Sequence, residues 1–325
     1  MFSVSKTLVH RIKVGFSALV KRKRPPKYDW PQPLYSGPEE YLPGDVWDSQ
    51  NPAERYASAG DLCAHLGEQL PVPLVKLVAR DVLQGLKYLH EIRGTVHGDI
   101  NPDCILLAPR DMKAMIAQFT GDSLSRHSSN SSRISFHPHY FDYDTLVSPG
   151  YGSPVIFRLC YPTVDRPRHD PLSDSYGMRP PEAIIGAPRS SSADLWTLGC
   201  VLYELLTGDN LFDPFFQTME LGLAPEESHL IQIIEMVGEL PLDLLKSGKY
   251  TKKWFNEDGA ASYFYLGTLR LDTTYYPVTL EEVLKMRLEG SDVQETADFL
   301  GSLLKLRPQD RTRAVDLLNH SWLTP

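Results

Sequence analysis

Residues 71–92, PVPLVKLVARDVLQGLKYLHEI, put apolar side chains at Leu74, Val78, Val82, Leu86 and Leu89. That is one face of a helix, with charge on the other face. The helix runs directly into His97-Gly98-Asp99-Ile100-Asn101-Pro102-Asp103-Cys104-Ile105-Leu106-Leu107, a polar loop that ends in an apolar run. A second helix begins at Asp194, and Leu195, Leu198, Leu202, Leu205 and Leu206 make it core at the same spacing. The chain has 325 residues, 42% hydrophobic and 23% charged, enough for one large domain or two small ones.

The loop resembles the catalytic loop of the protein kinases, H-R-D-L-K-P-x-N-I-L. Other elements follow in that family's order. Arg179-Pro180-Pro181-Glu182 resembles A-P-E, and Asp194-Leu195-Trp196-Thr197-Leu198-Gly199-Cys200 resembles the start of the buried central helix. Arg311 stands where the family has an Arg that pairs with the A-P-E Glu, here Glu182, and His320-Ser321-Trp322-Leu323 resembles the closing H-P-W/F-L. His229 to Pro241, followed by Gly248-Lys249-Tyr250 and Phe255-Asn256, is similar to the SR-protein kinases, a serine/threonine group that phosphorylates Arg-Ser repeats. The match runs over roughly residues 60 to 325.

The resemblance assigns roles residue by residue. Asp99 stands at the general base as a remnant, and Asn101 at the catalytic-loop Lys. Cys104 stands at the Asn that would hold Mg²⁺. His97, Glu182, Asp194 and Arg311 are implied as structural residues, with Asp194 capping the central helix and bonding catalytic-loop backbone. Val155-Ile156-Phe157-Arg158-Leu159 reads as the strand before D-F-G, which puts Tyr161-Pro162-Thr163 in the D-F-G place. An alternative alignment uses Gln118-Phe119-Thr120. Neither supplies an Asp. Before residue 60 there is no G-x-G-x-x-G and no V-A-I-K-like strand, the parts that hold ATP in an active kinase. The small lobe is therefore expected to be absent or vestigial.

Charge is uneven. Residues 1–28 hold eight Lys/Arg and no Asp/Glu, so the remainder of a chain with net charge −8 carries −16. The N-terminus has three readings: transit-peptide-like, with Leu8, Ile12, Phe16 and Leu19 on one face; a nuclear-localisation patch at Lys21–Lys27; or a solvated basic tail. Location is expected to be intracellular, in nucleus or cytoplasm, with mitochondrial import left open. Cys63, Cys104, Cys160 and Cys200 are scattered without C-x-x-C spacing, which indicates neither a metal site nor a disulfide framework. No run of eighteen apolar residues suggests a membrane span.

The fold expected is mainly α with small β elements (α+β), a protein-kinase-like large lobe. Residues 1–27 form a basic tail, 28–60 an irregular Pro/Tyr-rich lead-in, and 61–325 the lobe, with a Ser/His/Tyr-rich insertion at about 108–154. The expected function is a pseudokinase of SR-protein-kinase type that binds protein, with Arg/Ser-rich segments as partners. Glu226, Glu227 and Glu235 are its acidic docking residues, with Glu239 and Asp243 near them. Two alternatives stand beside it: a divergent serine/threonine kinase transferring the ATP γ-phosphate, and a truncated product of an active kinase. No cofactor and no metal are expected, ATP and Mg²⁺ entering only under the kinase alternative. Neither direct nucleic-acid binding nor an oligomer is expected.

Overall fold

The computed structural model describes residues 58–67, 69–109, 155–159, 174–216, 218, 223–256, 275–288 and 292–323. The basic tail, the lead-in up to residue 57, most of the insertion and the Tyr161-Pro162-Thr163 position lie outside them. The described residues fall into two compact units, one made of 58–159 with 313–323, the other of 174–312.

The first unit opens with helix α1 (Ala59–Leu66). Ser58 caps it: Asp61 N donates to Ser58 Oγ at 3.0 Å, and Ser58 N donates back to Asp61 Oδ2 at 3.1 Å. This reciprocal pair satisfies two amides that a helix start leaves without partners. Helix α2 (Val72–Lys87) begins with Pro in its first turn, where the missing N–H costs nothing. It buries Leu74, Val75, Val78, Ala79, Val82, Leu83 and Leu86.

The helical run expected to reach residue 92 does so with a change of pitch. Tyr88–Ile92 form a π-helical turn, in which Arg93 N reaches back to Tyr88 O at 3.1 Å. Strand β1 (Ile105–Pro109) pairs antiparallel with β2 (Val155–Leu159), in a register that sets Ile105 opposite Leu159 and Pro109 opposite Val155. The insertion is thus bracketed by two paired strands. Asp81 on α2 accepts a hydrogen bond from Phe157 N at 2.9 Å and fixes β2 against the helix. The short helix α10 (Ala314–Leu317) packs on α2, with Trp322 buried beneath Lys76.

The second unit is all helical among its described residues: α3 (Pro181–Ile184), α4 (Ser192–Thr207), α5 (Pro225–Val237), α6 (Leu242–Ser247), α7 (Thr251–Trp254), α8 (Leu280–Lys285) and α9 (Asp292–Leu303). Helix α4 is the axis of this unit. Trp196, Leu198, Val201, Leu202, Leu205 and Leu206 have no exposed surface. The helix starts two residues earlier than expected, so Asp194 is not its cap. Ser191 holds that position, without a side-chain bond, and Asp194 sits buried inside the first turn. A carboxylate there still suits the positive end of the helix dipole. Among the described residues the architecture is mainly α with one two-stranded sheet, as expected for a kinase-like large lobe.

Candidate catalytic-loop site

The loop from His97 to Cys104 hangs between α2 and β1. His97 is buried, and its Nδ1 accepts from Asp99 N at 3.4 Å. Ile100, with no exposed surface, pins the middle of the loop to the core. Asp99 is half-buried.

Asn101 turns its side chain inward. Its Oδ1 accepts from Asp103 N at 3.0 Å and Cys104 N at 3.1 Å, and its Nδ2 donates to Asp99 O at 3.1 Å. The side chain is therefore the cap of a single 3₁₀ turn, Pro102–Cys104. Cys104 closes the same turn from the other end. Its Sγ accepts from Asn101 N at 3.2 Å and donates to Asn101 O at 3.1 Å, and the thiol is buried. Each residue uses its functional group on the backbone of the other. Asp103 accepts from Ser58 Oγ at 3.1 Å, which ties the loop to the start of α1. Sequence reasoning gave no role to Asp103. The Ser-x-x-Asp of 58–61 was a signal for the cap, and nothing in the sequence tied Ser58 to Asp103.

In the second unit the structure brings Glu182 and Arg311 together. Both side chains are fully buried, and two parallel bonds of 2.7 Å join the guanidinium to the carboxylate. Arg311 also donates to Lys305 O at 2.8 Å and Ser192 O at 3.0 Å, and its Cζ lies 5.1 Å from the centre of the Trp196 ring.

The acidic residues of α5 are half-buried and each is engaged. Glu227 accepts from Ala224 N at 3.0 Å and satisfies a helix-start amide. Glu226 faces the Tyr176 hydroxyl. Burial pushes the Tyr176 phenol up to about 12, the Glu226 hydrogen bond and charge adding to the shift, while Arg179, stacked 3.9 Å above the ring, opposes it. Glu235 accepts from Tyr276 N at 2.9 Å. The three do not form a bare acidic face. The Tyr176–Glu226 contact joins residues 50 positions apart, and no local pattern announces it.

Residues 168–323 match the Protein kinase domain family. Over this span the chain is similar to the protein kinases. The serine/threonine-protein kinase SKY1 of Saccharomyces cerevisiae is 39% identical over 147 residues, covering 45% of this chain and 18% of that protein. The serine/threonine-protein kinase SRPK of Physarum polycephalum is 26% identical over 282 residues, 80% of this chain and 62% of that protein. The human SRSF protein kinase 3 is 32% identical over 146 residues, covering 44% and 24%. The chain thus spans less than two thirds of each of these relatives. The resemblance to SR-protein kinases stands, and their activity and substrates are properties of those proteins.

The family implies ATP with Mg²⁺. Mg²⁺ takes hard oxygen donors in octahedral geometry, and thiols suit softer metals. At the metal-ligand position this loop offers a buried thiol bonded to its own backbone. At the phosphate-steadying position it offers a neutral amide committed to a cap. The described residues of the loop do not fit the group. No described group of three or more His, Cys, Asp or Glu is placed to hold a metal, and no described helix is long and apolar enough to cross a membrane.

Proposed function

We propose that this chain is a non-catalytic, kinase-like protein that acts by binding protein. One observation carries the reading: Asn101 and Cys104 spend their polar groups on each other's backbone, where an active kinase aims a Lys at the transferred phosphoryl group and an Asn at Mg²⁺. Phosphoryl transfer is almost entirely positioning and electrostatic stabilisation, so losing both groups removes the means of catalysis rather than a detail of it. The loop is ordered by Asn101, which donates to the backbone carbonyl at position 99 as well as capping the turn. Arg/Ser-rich segments are the partner class in this reading, by kinship with SR-protein kinases and because the chain outside its basic tail is strongly acidic.

The second reading is a divergent serine/threonine kinase. It is favoured by the half-exposed Asp99 at the general-base position and by relatives that are themselves named kinases. Calorimetric titration with ATP and Mg²⁺ decides between the two. The non-catalytic reading expects binding too weak to saturate at millimolar nucleotide. A dissociation constant in the low micromolar range, with phosphate transfer to an Arg-Ser peptide, would establish the enzyme instead.

A further inference from the structure

Lys246 at the end of α6, Lys249 in the link to α7, and Lys252 and Lys253 in α7 are all exposed, and between Asp243 and Glu257 the chain has no acidic residue. Asp243, just before it, is held by Arg307 through bonds of 2.9 to 3.2 Å, so its charge is largely neutralised. Among the described residues no carboxylate pairs with Lys246 or Lys249. Lys253 lies 4.1 Å over the Trp254 ring, an aromatic face rather than a counter-ion. Four lysines thus fall within eight positions of a chain of net charge −8, two of them, Lys246 and Lys249, exposed and without a described carboxylate partner.

The surface is also rigidly built. Tyr250 N donates to Ile185 O at 2.8 Å and Lys249 N to Gly186 O at 3.3 Å, pinning the link to the segment that follows α3. The Tyr250 ring lies flush on Gly186, where a Cβ would come within 2.6 Å of it, yet the residue is 58% exposed. Ser247 Oγ donates to Leu244 O at 2.7 Å and Thr251 Oγ1 to Leu245 O at 2.6 Å. At Gly248 a Cβ would stand 2.4 Å from Thr251 Oγ1 and 2.8 Å from Ile185 O. Beneath, Leu244, Leu245, Trp254 and Phe255 are buried. The lysines are thus presented from a backbone that is already ordered, which lowers the entropic cost of binding through them.

We propose that this lysine turn docks a phosphoserine-bearing protein segment. A phosphoserine brings close to two negative charges and three acceptor oxygens, which the exposed Lys246 and Lys249 of this turn can share. A short segment fits better than a membrane or a nucleic acid. Charges separated by more than about 8 Å are screened at physiological salt, so a short ligand feels only the local lysines. An extended polyanion also meets the exposed Glu239 and the negative body of the chain. The proposal does not depend on the state of the catalytic loop.

The test uses the full chain and a fluorescent peptide with two phosphoserines among neutral residues, its unphosphorylated twin, and phosphatidylserine vesicles. Phosphopeptide binding is expected, falling at least about tenfold in the variant Lys246→Glu/Lys249→Glu. It should weaken with salt, and the twin should bind far less. A milder pair, Lys246→Gln/Lys249→Gln, should give a smaller loss in the same direction with unchanged thermal unfolding. Equal binding of both peptides, binding unaffected by either pair, or vesicles bound in preference to the phosphopeptide would overturn the proposal. Nucleotide binding and Arg-Ser peptide binding are read separately, so failure here leaves the proposed function untouched.

Discussion

Glu182 and Arg311 show what a single buried side chain can cost when it loses its partner. Both are fully buried and joined by two bonds of 2.7 Å. Removing one partner strands the other charge in the interior, which costs about 3–5 kcal/mol. Glu182→Gln and Arg311→Met should each lower the free energy of unfolding by that order, read as a lower urea midpoint. Replacing both with apolar residues should recover part of the loss, but not all, because Lys305 O and Ser192 O also lose their donor. Full additivity of the two single losses would argue against a direct pair. His229 is the second such residue. It lies on α5 with no exposed surface, its ring 5.3 Å from that of Phe212, and neither ring nitrogen has a hydrogen-bond partner. Burial first, and the Arg179 charge second, hold its imidazole down to about 3 from an ordinary 6.5. The unfolded chain therefore binds a proton that the folded chain refuses. Stability contributed this way is intact above pH 6.5 and declines as pH falls from there toward 3. His229→Leu should remove that decline. Thermal midpoints at pH 7 and pH 5 should converge in the variant and diverge in the parent chain. Equal divergence in both would show that His229 does not titrate in this window.

At the scale of elements, the glycine at 248 sets the turn between α6 and α7. Its φ of −84° is open to any residue, so the constraint is space alone. Gly248→Ala should destabilise by about 1–3 kcal/mol, the usual cost of overpacking. It should also loosen the Lys249–Gly186 pairing, visible as faster amide exchange at Lys249 and Tyr250. Unchanged exchange would mean that Thr251 and the Ile185 backbone both give way without loosening the pairing. Much of the element-level architecture was legible in the sequence because it rests on periodicity. The apolar stripes of α2 and α4 and the strand at Val155–Leu159 follow directly from residue order. What was not legible depends on contacts. The change of pitch at Tyr88–Ile92 has no stripe of its own. The N-terminal boundary of α4, which moves Asp194 from cap to first turn, is decided by local backbone rather than by hydrophobic pattern. The loop substitutions at Asn101 and Cys104 could be read from the sequence, but their mutual bonding could not. Both side chains fold back onto a turn whose geometry only the structure supplies.

At the scale of the molecule, charge is the property that most limits the choice of partner. The chain outside residues 1–28 carries −16, and under the proposed function Arg/Ser-rich segments are the complement of that charge. The acids of α5 contribute to that field even though each holds an internal hydrogen bond, because a carboxylate that accepts from a neutral amide or hydroxyl keeps its charge. Their hydrogen bonds restrict how a test can be made. Truncating Glu227 to Ala would unseat the start of α5, and loss of binding would then report unfolding. Replacing Glu with Gln keeps an acceptor oxygen at the same reach and removes only the charge. An Arg-Ser repeat peptide should bind the parent chain weakly at low salt and lose most of that binding as ionic strength rises. Glu226→Gln, Glu227→Gln and Glu235→Gln combined should reduce the low-salt affinity several-fold while leaving the thermal midpoint within a few degrees. Fluorescence anisotropy at two salt concentrations reads the first effect, and thermal unfolding the second. Affinity that is unchanged by the triple replacement, or that persists at high salt, would remove α5 from the binding surface and leave the Arg-Ser reading without its acidic docking residues.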